Sequence, residues 1–151
     1  MFHKLPSSES MEYMLGLLLV LMIAISISDI YHRRIPNSLL YLLFSNILAL
    51  SLLYEFPLNY DSFIVTLVLG FILWCLKIIA AGDVKYIAIL FVLVDSQYVL
   101  FTFFLVTFFG LVLAVFFITS NQFKSSMSKN HNLPYGVAIS LGSVFGIIAS
   151  L

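Results

Sequence analysis

Charge is the scarcest commodity in this chain. Asp, Glu, Lys and Arg make up 9% of its 151 residues against 62% hydrophobic, and the mean hydropathy is +1.12. No soluble domain of this length hides so much apolar surface, which excludes a soluble globular fold and leaves an integral membrane protein surrounded by lipid. Seven basic side chains balance seven acidic ones, so net charge gives no ground for a nucleic-acid partner and none is expected. Cysteine is nearly absent too. The single Cys75 lies inside an apolar run, which excludes an internal disulfide and any Cys-rich zinc site. The three histidines, His3, His32 and His131, are scattered without metal-ligand spacing, so no metal is expected. The chain also lacks a Gly-x-Ser-x-Gly elbow, a glycine-rich phosphate loop and any internal repeat.

What is present is a series of apolar runs. A bilayer core takes about 20 apolar residues as helix. Candidate spans are Met11 to Ile30, Ser38 to Tyr54, Ser62 to Ala80, Val84 to Val94, Tyr98 to Thr119 and Leu133 to Leu151. Asp95-Ser96-Gln97 breaks a stretch too long for one crossing. The expectation is an all-α, polytopic bundle of about six transmembrane helices, forming one domain over residues 1–151.

The few basic residues alternate by turn. Arg33 and Arg34 follow span one, Lys77 and Lys85 flank the turn between spans three and four, and Lys124 and Lys129 lie between spans five and six. The intervening turns hold Glu55, Asp61 and Asp95 without Lys or Arg. By the positive-inside rule the basic turns face the cytoplasm and both termini lie outside, with Lys4 alone dissenting. Ala24-Ile25-Ser26 and Ser26-Ile27-Ser28 are passable signal-peptide cleavage sites. Strong positive charge after the run, not before it, favours a retained helix.

Against this map two carboxylates stand out. Asp29 ends span one and Asp83 begins span four, and they are the acidic residues assigned to the cytoplasmic side. Val84 to Val94 gives roughly 16 Å of helix, short of a core of about 30 Å. Either Asp83 starts its helix below the membrane surface in a water-accessible notch, or Asp95 to Gln97 dips inward, or the helix borrows residues from its flanks. Intramembrane ionisable groups are costly and mark functional sites. The plain accounts stay open: Asp29 pairs with Arg33 four residues on, and Asp83 is the N-cap of span four.

Two aspartates brought together can share one proton, because like charges a few Å apart do not both ionise cheaply. The ionised one then draws a proton from an attacking water while the other donates to the carbonyl oxygen. The same pair could serve as a proton relay in a small proton- or ion-coupled transporter subunit. A non-catalytic assembly factor would not require carboxylates at either position.

The motifs carry a resemblance. DIYHRRIPN, Asp29 to Asn37, resembles the first active-site motif of prepilin peptidases, and AGDVKYIAIL resembles their second, Gly-x-Gly-Asp followed by Val-Lys. LPYGVAIS, Leu133 to Ser140, is similar to a third stretch near the start of their last helix. The chain resembles the type IV leader peptidase family, closest to its short members of Flp or tight-adherence pili, among the Gly-x-Gly-Asp intramembrane aspartyl proteases.

The resemblance implies an aspartic endopeptidase of the bacterial inner membrane, acting in pilus biogenesis and secretion. It would cut a short basic leader from a prepilin or pseudopilin at the cytoplasmic face, just before the substrate's hydrophobic helix. Asp29 and Asp83 would be catalytic. Arg34, Pro36, Asn37, Gly82, Lys85, Pro134, Tyr135 and Gly136 would support the pair or bind substrate. Two departures stand out. Ala80 replaces the first glycine of Gly-x-Gly-Asp, and the paired Cys-x-x-Cys insertion of longer, methylating members is missing. No cofactor is therefore expected, neither zinc nor a methyl donor. Gly142 and Gly146, and Gly110 with Ala114, are expected to let helices approach closely. The phenylalanines from Phe101 to Phe117 are expected to face lipid.

Overall fold

Helix boundaries in this protein are set by a few charged or cyclic residues. In the computed structural model, which describes residues 8–119 and 133–150, helix α1 spans Ser8–His32 and stops where Arg33 adopts a left-handed backbone with φ 54°. Pro36, extended at φ −70° and ψ 132°, then stands as N-cap of α2, Asn37–Tyr54. Glu55 ends α2 and Lys77 follows α3, Tyr60–Cys75, again with positive φ. Behind Lys77 two reversed hydrogen bonds, Lys77 N–H to the Trp74 carbonyl and Ile78 N–H to that of Leu73, close the helix as a Schellman motif. That closure ends α3 five residues before the expected Ala80. Helix α4 is Ala81–Phe91, a 3-10 turn covers Ser96–Tyr98, α5 is Val99–Thr119 and α6 is Tyr135–Ser150. No strand occurs among the described residues.

The α4 boundaries differ from the expected span at both ends. The helix begins at Ala81, with Ala80 as an N-cap that makes no side-chain bond, so Asp83 sits within the first turn and does not cap it. At the other end Val92 to Val94 leave the helix although they are apolar and buried. Asn59 accounts for this. Its backbone N–H donates to the Val92 carbonyl at 2.8 Å, and its side-chain amide donates to the Val94 carbonyl at 3.0 Å. The same side chain accepts from Ser62 N–H at 3.0 Å and so caps α3. At 11 residues, α4 is about 16 Å long.

The all-helical membrane class holds. Three segments, Glu9–His32, Asn37–Tyr54 and Ser96–Thr119, are long and apolar enough to cross a membrane by length and composition, while α3 and α6 are shorter apolar helices. The surface shows the same inversion. Helix α3 exposes Val65, Leu69, Phe71 and Trp74, and α5 exposes Phe101, Phe104, Phe108 and Phe116, a breadth of apolar surface that lipid accommodates and water does not. The core instead gathers on α4, where Tyr86, Ile87, Ala88, Leu90 and Phe91 are buried together with Leu18, Met22 and Ile25 of α1 and Ile139 of α6.

Glycines set the α5–α6 approach as expected. A Cβ on Gly142 would lie 2.6 Å from the Val106 backbone nitrogen, and one on Gly146 would collide with Thr102. Gly110 has a different neighbour, because its missing Cβ leaves room for the phenol of Tyr135. The helix ends then sort in space. Residues 29–35, 80–83 and Leu133 meet around one cavity, whereas Pro57 to Asn59 meet Val92 to Ser96 around another. Two of the three turns expected to be basic therefore meet around one cavity and the two expected to be acidic around the other. Lys4, Lys124, Lys129, His3 and His131 lie outside the described residues.

Candidate functional site

The cavity between the first and third turns is open, has a volume of about 310 Å³, and is lined by Asp29, Arg33, Arg34, Ile35, Ala80, Gly82, Asp83 and Leu133. Three separate parts of the chain contribute. Asp29 comes from the last turn of α1, where Arg33 bends the chain away immediately afterwards. Asp83 comes from the first turn of α4, a position where negative charge is favoured by the helix dipole. The two carboxylates are close enough for their charges to interact.

Asp29 is the more enclosed, 5% exposed. Its Oδ2 accepts the Gly136 backbone N–H at 2.7 Å, a donor in the first turn of α6 that has no partner within its own helix. The contact depends on glycine. A Cβ at position 136 would lie 2.9 Å from that same oxygen and 3.2 Å from the Asp29 Cβ. Arg33 lies within charge interaction of Asp29, as the spacing of four suggests, and its guanidinium also sits 5.3 Å over the Phe117 ring.

The other expected site residues divide into two groups. Arg34 and Gly82 line the carboxylate cavity, and the Arg34 carbonyl accepts the Ser28 hydroxyl at 3.3 Å. Pro134 is buried, and Tyr135, half-buried, lies close enough to Asp83 for the two to interact electrostatically. Asn37 and Lys85 are elsewhere. They line a separate cavity of about 210 Å³ with Leu40, Tyr41, Phe44, Phe63, Leu67 and Ile89, and Lys85 Nζ reaches Asn37 Oδ1 at 3.5 Å. Lys85 follows Asp83 by two residues and so projects from another side of α4. Pro36 lines neither cavity; its carbonyl accepts the Leu39 and Leu40 N–H groups that begin α2.

Ala80 replaces the motif's first glycine without strain. Its φ of −76° and ψ of 146° are open to any L residue. Gly82 has no positive φ either, and a Cβ there would meet Ile35 at an ordinary 3.4 Å. Among the described residues no group of three or more His, Cys, Asp or Glu is placed to hold a metal. Sequence reasoning passed over Arg33, Ile35 and Leu133 as cavity residues, and over Ser26, Tyr86 and Ser140 beneath it. Ile35 and Ser140 stood inside motifs already singled out; Ser26 had no such flag.

This helical membrane protein thus turns two aspartates toward one open cavity. The chain belongs to the type IV leader peptidase family, whose model matches residues 16–115 and thus includes both aspartates. No curated protein and no solved structure matches the chain.

Proposed function

We propose that this peptidase is of the aspartic type, with Asp29 and Asp83 as its catalytic pair. It removes the short basic leader of type IV or Flp-type prepilins, or of pseudopilins, at the cytoplasmic face of the bacterial inner membrane. The observation that carries the reading is the convergence of Asp29 and Asp83, 54 residues apart in sequence, on one open cavity. With one proton between them, the ionised carboxylate takes a proton from a water as its oxygen attacks the scissile carbonyl. The protonated partner donates to the carbonyl oxygen, and proton return to the leaving amine completes cleavage. Arg33 and Arg34 at the cavity agree with a cytoplasmic face under the positive-inside rule.

Arg34, Gly82, Pro134, Tyr135 and Gly136 then serve the cavity that receives the scissile bond. Pro36, Asn37 and Lys85 act at a distance, through the start of α2 and its contact with α4. Co-expression with a candidate prepilin tests the reading. Mature pilin, lighter by the mass of its leader, should appear with the wild-type chain and not with Asp83→Asn. Uncut prepilin from every candidate, with the peptidase present in the membrane, would reject the substrate class. Reporter fusions near Arg34 and Asp61 should read cytoplasmic and external respectively, and the reverse pattern would overturn the orientation.

A further inference from the structure

One helical turn from the cavity, three hydroxyls meet where α1, α4 and α6 pack together. The phenol oxygen of Tyr86, a fully buried residue of α4, lies 2.7 Å from Ser140 Oγ of α6. Ser140 Oγ lies 2.7 Å from Ser26 Oγ of α1. It also reaches the Gly136 carbonyl at 2.8 Å and the Met22 carbonyl at 3.4 Å, while Ser26 Oγ reaches the Met22 carbonyl at 2.9 Å. A serine hydroxyl has one proton to give and two lone pairs to offer. One allocation uses all three: Tyr86 and Ser26 donate to Ser140, and Ser140 donates to Gly136.

Each member is one turn from a group already described. Ser26 precedes Asp29 by three residues, Tyr86 follows Asp83 by three, and Ser140 follows Gly136 by four. Helices α1 and α4, which carry the aspartates, each pack against α6 more than against each other. The separation of the carboxylates is thus set through α6. Its Gly136 N–H holds Asp29, and its Ser140 ties Tyr86 to Ser26.

We propose that Tyr86, Ser140 and Ser26 form a positioning bracket that locks α4 against α1 through α6 and so sets the spacing of Asp29 and Asp83. This rests on the aspartic reading above. None of the three touches substrate. Their effect passes through the geometry of the pair, and such geometry matters because a misplacement of about 1 Å can cost about 10²-fold in rate. The ionisable groups facing the bracket and the pair are Asp29 from α1, Arg33 and Arg34 from the turn after it, Asp83 from α4 and Tyr135 from α6.

The test uses the full chain in lipid nanodiscs and a peptide with a short basic leader joined to an apolar helix. Tyr86→Phe keeps the buried ring and removes only the hydroxyl. We expect kcat to fall about tenfold or more with KM changed less than about twofold, and the two limbs of the pH profile to move relative to each other. Ser140→Ala should match it, with the double variant little worse, as for groups acting as a unit. A second measurement needs no activity. In a Cys75→Ala background, Asp29→Cys with Asp83→Cys should be bridged by a short bis-methanethiosulfonate, each thiolate displacing one sulfinate, and several-fold more slowly once Tyr86→Phe is added. Unchanged kcat and pH profile in Tyr86→Phe, or an unchanged bridging rate, would overturn the bracket. Cleavage surviving in Asp29→Asn or Asp83→Asn would instead remove the catalytic pair, leaving the bridging rate to judge the bracket alone.

Discussion

The contact between α1 and α6 and the turn between α3 and α4 each deliver one aspartate to the same cavity, but by different means. Asp29 is buried at the end of a long helix and accepts a hydrogen bond from residue 136, 107 positions away. Asp83 has no such direct contact. The first turn of α4 presents it, among the described residues no hydrogen-bond donor reaches its carboxylate, and α6 is hydrogen-bonded to its helix only through Tyr86, one turn further on. One position depends on a distant strut and the other on a short turn. Disturbing α6 should therefore harm the site more than disturbing the turn before Asp83.

The largest effects are expected at the carboxylates themselves. Asp29→Asn and Asp83→Asn are each expected to lower prepilin cleavage about 10⁴-fold, with the double variant hardly worse. Quantified mature pilin at equal membrane abundance checks this, and a single variant near wild-type rate would dissolve the pair. Next comes the strut. Gly136→Ala places a methyl group 2.9 Å from Asp29 Oδ2 and is expected to cost about 10²-fold in kcat. Overpacking there should also lower stability by about 1–3 kcal/mol, visible as a lower midpoint of thermal unfolding in detergent.

Smaller effects sharpen the other side. Lys85 is exposed and lines the neighbouring apolar cavity with Asn37, so Lys85→Ala should change kcat by about twofold or less. A loss as large as that of Gly136→Ala would mean that the second cavity takes part in the chemistry. Ala80→Gly, which restores the motif's first glycine, should leave the cleavage rate unchanged. It should lower stability by about 0.4–1 kcal/mol through added freedom in the unfolded chain, and a large gain in rate would show that the turn is strained by its alanine.

Much of this arrangement was legible in the residues. Apolar runs located the helices, and the alternation of Arg33, Arg34, Lys77 and Lys85 with Glu55, Asp61 and Asp95 anticipated that these turns would sort into two groups. It also assigned Asp29 and Asp83 to one side, but that they line one cavity was not legible. The end of α4 was not legible, because Val92 to Val94 continue an apolar run and leave the helix only where Asn59, far back in sequence, takes their carbonyls. Lys85 illustrates a second limit. Two residues from Asp83 in a motif looks like proximity, but two positions on a helix turn the side chain away. Ser26, Tyr86 and Ser140 show a third. Each is an ordinary residue on its own helix, and only the packing of three helices makes them neighbours.

The glycine at position 136 has a further consequence, for modularity. The segment by which the family is recognised, residues 16–115, includes both aspartates, yet the amide that grips one of them and the serine beneath it belong to α6, outside that segment. A polypeptide ending at residue 115 would keep both aspartates and lose the amide that holds Asp29. If the proposed pair is catalytic, two separately expressed halves, one carrying the acids and one carrying α6, should show activity only when both are in the same membrane.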